Sequence, residues 1–100
     1  MFVEIKKSTN PKKKFVAIFY DKNKKKIKTT HFGQAGASDF TINKDPERKA
    51  LYRKRHRHDL ETSNFMRAGF LSFYVLWSKP TLKASIADYM KMFNLKKYKP

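Results

Sequence analysis

The chain has 100 residues, enough for one domain with one modest core, and its 40% hydrophobic and 15% aromatic content excludes wholesale disorder. Lys and Arg number 24 against 8 Asp and Glu, giving a net charge of +16; a compact surface so basic repels itself unless counterions or a polyanion cover it. Cysteine is absent, which excludes a disulfide framework and a thiolate zinc site.

Residues 1–33 read as a β-meander. "FVEIK" alternates, "KFVAIFY" is apolar on both faces, and "KIKTTHF" alternates again. The both-faces-apolar segment is the expected middle strand of a three-stranded antiparallel sheet. Asn10-Pro11 and Asp21 with Asn23 mark the two turns, with Asn23 suited to a left-handed conformation. Both turns are rich in lysine: Lys12, Lys13 and Lys14 in one, Lys24, Lys25 and Lys26 in the other.

Residues 34–44 read as a loop, with Phe40 and Ile42 expected to tuck it onto the core. Asp45-Pro46-Glu47 is a helix start, an N-cap followed by proline and an acid in the first turn. The helix over 45–59 carries the densest charge: six of the ten residues from Arg48 to Arg57 are Lys or Arg, and none is acidic. At 100° per residue, Lys49, Arg53, His56 and Arg57 share one stripe, the expected outward basic ridge. Leu51, Tyr52 and His58 lean the other way, and Arg55 falls among these inner residues, where Asp59 or Asp88 would pair with it.

"LETSN" reads as a loop. Phe65 to Ser78 is apolar almost all round, a buried element for which length favours a helix of about three turns and composition leaves a strand open. Its "AGFLSFYVLW" is half the length needed to cross a bilayer, and "MFVEIKKSTNPKKKF" lacks the apolar core of a signal peptide. The expectation is a soluble intracellular protein that is not secreted. Pro80 sits at the start of a last helix, whose Leu82, Ile86, Tyr89 and Phe93 form one core stripe. Residues 65–95 thus supply the rest of the core, and residues 96–100 read as a frayed basic tail. The predicted core is Val3, Ile5, Val16, Ile18, Ile27, Leu51, Phe70, Phe73, Leu76, Leu82, Ile86, Tyr89 and Phe93.

The expected fold is therefore α+β, one domain over residues 1–100: a three-stranded antiparallel β-meander followed by two or three helices packed on one face.

Several stretches resemble a family of small basic proteins of unknown function encoded by nucleo-cytoplasmic large DNA viruses, the giant viruses. They are His31-Phe32-Gly33, Ser38-Asp39-Phe40-Thr41, Lys44-Asp45 with Arg48-Lys49 and Tyr52, and Lys79-Pro80-Thr81-Leu82 with Ser85-Ile86 and Asp88. Ser78 departs from the asparagine of that pattern. The resemblance implies a viral source and a virion-associated protein, and it supplies no activity.

Catalytic constellations are sparse. His56 and His58 are i and i+2 on a helix, so they point apart and cannot share a metal. Ser38-Asp39 with His31 has triad composition, but loop-pinning hydrogen bonds explain these residues more simply. The chain reads as non-enzymatic, with no cofactor, no metal and no small-molecule substrate. The expected partner is nucleic acid, double-stranded DNA ahead of RNA, held by phosphate contacts. The contact residues are Arg48, Lys49, Arg53, Lys54, His56 and Arg57, with Lys12, Lys13, Lys14, Lys24, Lys25 and Lys26 as auxiliaries. Packaging or coating of viral DNA is the role this suggests. The alternative is a virion structural protein, a minor capsid or internal glue component bound to other virion proteins, with "FLSFYVLW" as its exposed interface. No element is both basic and amphipathic enough to predict membrane binding.

Overall fold

Lys13–Tyr20 is apolar on both faces, and the fold uses both. In the computed structural model, which describes residues 1–100, this segment is β2, paired antiparallel to β1 (Phe2–Lys7) and β3 (Lys26–Gln34). Side chains alternate across the pleat. Ala17 and Phe19 therefore face one way with Val3 and Phe32, while Val16, Ile18 and Tyr20 face the other with Phe2. The first turn is held by Ser8 and Asn10, whose side-chain oxygens accept from the Asn10 and Lys12 amides. In the second, Asp21 accepts from the Asn23 and Lys25 amides, and Lys24 rather than Asn23 takes the left-handed conformation, at φ 62°.

The sheet has four strands and is mixed, where three antiparallel strands were expected. Lys96–Lys97 forms β4, parallel to β1, in the order β3-β2-β1-β4. The tail expected to fray is thus pinned. Its amides at Lys96 and Tyr98 donate to the Met1 and Val3 carbonyls, both at 3.0 Å, and the Tyr98 ring stacks on Tyr20 with centroids 3.6 Å apart.

The helices cover one face of the sheet. The expected loop over 34–44 contains a short helix, α1 (Phe40–Asn43), because Asp39 caps it. α2 (Pro46–His56) follows and runs into a 3-10 helix over Arg57–Thr62, which absorbs most of the expected "LETSN" loop. The apolar segment is helical: α3 (Ala68–Leu71) widens into a π-helix over Ser72–Leu76. α4 (Leu82–Met92) is capped by the Thr81 hydroxyl, which accepts from the Ala84 amide, so Pro80 stands one residue before the cap.

The main core joins Val3, Ala17, Phe19 and Phe32 of the sheet to Leu71, Val75, Leu76, Trp77 and Tyr89 of the helices. Val16, Ile18 and Tyr20 form a second, smaller cluster on the opposite face, covered by Phe2 and Tyr98. Two expected core residues lie outside. Ile27 is 46% exposed, because it is the unopposed residue where the β2–β3 register shifts on an edge strand. Leu51 is 58% exposed, because α2 turns its other face inward. Ile42, expected to tuck against the core, is 62% exposed, and Phe40 alone anchors α1.

Candidate nucleic-acid interface

The start of α2 is fixed by chemistry written in its first residues. Asp45 accepts from the Glu47 and Arg48 amides at 3.0 and 3.3 Å, and Pro46 needs no donor there. Beyond this first turn Tyr52 turns inward as expected, but Lys49, Leu51, Arg53, Arg55 and His56 take the opposite of their expected sides. Lys49, Tyr52, Arg53 and His56 are the half-buried side, and Glu47, Leu51, Lys54 and Arg55 face solvent.

Aromatic packing explains the reversal. The Tyr52 ring is sandwiched between Trp77 and His56, at centroid distances of 4.4 and 4.2 Å. The Arg53 guanidinium lies 4.1 Å from the Phe73 ring centroid and donates to the Trp77 carbonyl at 3.0 Å. The Lys49 ammonium lies 4.9 Å from the Phe40 centroid. Long cationic side chains bury their stems and place their charge on ring faces, so these residues do the packing that aliphatic ones would otherwise supply. Lys49, Arg53 and His56 therefore do not project as a ridge, and of the expected stripe only Arg57 is exposed.

Lys49, Arg53 and Arg57 still contribute to one surface, and His56 lies outside it. Pro46, Lys49, Ala50, Arg53, Lys54 and Arg57 line an open cleft of about 430 Å³ with no acidic residue in its wall. None of the four ion pairs in the structure involves a Lys or Arg of α2. Burial, with Arg53 and Lys79 nearby, lowers the Lys49 pKa from its ordinary value. Burial and the neighbouring Arg57 likewise act to lower that of Arg53. Lys79, from the loop before α4, joins this positive field; no helical periodicity links it to α2, so no sequence pattern marked it. Arg48 and Arg55 lie outside the cleft and are exposed. Arg55 has no carboxylate partner, because Asp59 turns to His56 and His58, at 3.2 and 3.4 Å.

The lysine-rich turns divide. They sit at opposite ends of the eight-residue β2, roughly 26 Å of strand apart, so they do not form one surface with each other. Lys12, Lys13, Lys25 and Lys26 are exposed. Lys24 donates to the Lys99 carbonyl at 3.0 Å and lies 5.7 Å from the Phe2 centroid. Lys14 is no free cation: its ammonium is 2.5 Å from Asp39, and both side chains are largely buried. Its charge is neutralised within the fold, which removes it from the set of phosphate contacts.

The residues with triad composition are not assembled as one. The His31 Nδ1 meets the Ser8 hydroxyl at 2.7 Å, Ser38 accepts from the Asn43 side chain, and Asp39 is occupied by Lys14, the Thr41 amide and the Thr41 hydroxyl. No group of three or more His, Cys, Asp or Glu is placed to hold a metal ion. No helix is long and apolar enough to cross a membrane.

A family model described as a family of unknown function (DUF5754) matches residues 3–56. The matched span holds β1 to β3, α1 and α2, and with them every cationic wall residue of the cleft except Arg57. No curated protein and no solved structure matches the chain.

Proposed function

The chain belongs to the DUF5754 family, whose description assigns no activity, and from its own residues we propose that it is a non-catalytic binder of nucleic acid, acting on double-stranded DNA through phosphate contacts with little sequence preference. The observation that carries this reading is the cleft on α2: four cations, no carboxylate, on a helix held rigid by aromatic stacking. Uncompensated like charges at such spacing cost stability, and a phosphate backbone removes that cost. Lys49 to Arg57 spans about 12 Å along the helix axis, the scale of a groove and its flanking backbone. The cleft offers ammonium and guanidinium groups and no Asn or Gln, which suits phosphate contact over base reading. Arg48, Arg55 and the exposed lysines of the turns extend the field around it.

Packaging or coating of a viral genome is the role this reading predicts, with virion proteins as further partners. The alternative, a virion structural protein joined through "FLSFYVLW", has lost its surface: Phe70, Leu71, Phe73, Val75, Leu76 and Trp77 are buried.

The test is the affinity for a short random duplex over a salt series, against an equal-length single strand and heparin. A slope equivalent to about four released counterions, with duplex preferred over heparin, is the expected result. Equal affinity for all three polyanions overturns the duplex assignment.

A further inference from the structure

Helices cover one face of the sheet. On the other, Phe2 and Tyr98 are the apolar cover over Val16, Ile18 and Tyr20. One face of the Tyr98 ring lies on Tyr20. The other face meets no further ring and no cation. Tyr98 is half-buried and directly follows β4, the outermost strand. The strand register sets cations beside these rings. Lys26 of β3 and Phe2 of β1 flank Tyr20, and Lys96 of β4 flanks Phe2. Side chains of directly opposed residues share a face, so Lys26, Tyr20, Phe2 and Lys96 form one row on the helix-free side. The row crosses four strands, roughly 14 Å at the spacing of neighbouring strands. The Lys24 ammonium lies at the same end, 5.7 Å from the Phe2 centroid. Lys24, Lys26 and Lys96 are exposed, and none belongs to any of the four ion pairs. Glu4 is the one acid in the four strands, and Lys6 pairs with it at 3.6 Å.

We propose that this helix-free face binds single-stranded nucleic acid, with a base stacked on the free face of Tyr98 and phosphates held by Lys24, Lys26 and Lys96. Two features select that occupant. Three ammonium groups outside any ion pair, beside a single carboxylate that already has its lysine, fit a chain of phosphates. A ring with one open face is filled by a flat base, and aromatic rings on an open sheet are a general platform for unstacked bases. A duplex closes its base faces by stacking them on one another, so only a single strand presents phosphates and a free base face together. An acidic peptide would answer the lysines and leave the ring face without a planar partner. The surface shares no residue with the α2 cleft, so each binds or fails to bind independently.

The experiment titrates the full chain with a short oligothymidylate and with an abasic strand of equal length, which carries the same phosphates and no bases, and follows both by NMR. The expected result is at least tenfold tighter binding of the oligothymidylate, with the amides of Phe2, Tyr20 and Thr29 shifted and the Tyr98 ring protons moved upfield by the stacked base. Tyr98→Leu keeps an apolar cover on Tyr20 and removes the platform, so the preference over the abasic strand falls at least fivefold; Tyr98→Phe retains it. Lys26→Glu with Lys96→Glu, both exposed, weakens both strands at least fivefold. Lys54→Glu with Arg57→Glu keeps the preference for the oligothymidylate, which separates this face from the duplex reading. Equal affinity for the two strands, shifts confined to α2, an unchanged preference in folded Tyr98→Leu, or no binding overturns the proposal. The upfield shift of Tyr98 is read in the unaltered chain, so its absence overturns the proposal whether or not the variants fold.

Discussion

Arg53 stacks on Phe73, its guanidinium 4.1 Å from the ring centroid, so a residue at the mouth of the cationic cleft is also part of the packing beneath it. Its further bond to the Trp77 carbonyl ties α2 to the segment leading into α4. Arg53→Ala is expected to cost about 2 kcal/mol, from the lost ring contact and an orphaned carbonyl. Arg53→Lys is expected to recover less than half of that, since an ammonium lacks the planar fork. Urea unfolding monitored by Trp77 fluorescence measures both.

Lys54 and Arg57 line the same cleft without that packing role, and both are exposed. The double substitution Lys54→Glu with Arg57→Glu is expected to lower duplex affinity at least tenfold and reduce the salt slope by about two, with the unfolding midpoint nearly unchanged. Unchanged affinity in a folded double variant would remove α2 from the interface.

Asp39 holds three things at once: the Lys14 ammonium, the first amide bond of α1 and the Thr41 hydroxyl. Asp39→Ala leaves a largely buried cation unpaired and uncaps α1, an expected loss of about 3 kcal/mol. Duplex affinity, measured below the lowered melting temperature, is expected to stay within twofold of the unaltered chain.

Tyr98 lies over the sheet face that no helix covers and shields Tyr20, which is 8% exposed. Tyr98→Ala is expected to cost about 1 kcal/mol. It should also speed amide exchange at Lys96 and Tyr98 more than in α4, because the β4 hydrogen bonds depend on the stacked ring. Hydrogen exchange followed by NMR reads this directly.

Burial sets two titrations. It raises the pKa of the Tyr89 phenol, which donates to the Phe65 carbonyl at 2.5 Å. The unfolded chain would release that proton first, near its ordinary pKa of 10.0. The folded state then binds more protons than the unfolded one, so stability is whole below pH 10 and falls above it; Tyr89→Phe flattens this alkaline loss. Lys49 has the opposite sign, since its pKa is lowered below the ordinary 10.5. A bound phosphate favours the ammonium, so duplex binding just below that pH takes up protons. Calorimetry in buffers of differing ionisation enthalpy detects the uptake, and Lys49→Met abolishes it.

The sequence by itself determined the β-meander, the caps at Asp45, the inward stripe of α4 and the charge, because these rest on local periodicity and on residues that act on their own neighbours. The segment apolar on both faces reads as the middle strand with a single core, and in the structure each of its faces carries a buried cluster. Tertiary structure decided the orientation of α2. Periodicity sorts residues onto faces, but which face turns inward depends on what waits there, and here the rings of Phe40, Phe73 and Trp77 receive Lys49, Arg53 and Tyr52 while Leu51 is left outside. It also decided the fate of individual charges. Lys14 is neutralised by an aspartate 25 residues away, and Lys79 adds its charge to the field around Lys49 of another helix. Lys96–Lys97 became a strand only because the edge of β1 was free to take it. Partners distant along the chain leave no periodic trace in a single sequence, and long-range packing and ion pairing are set by such partners.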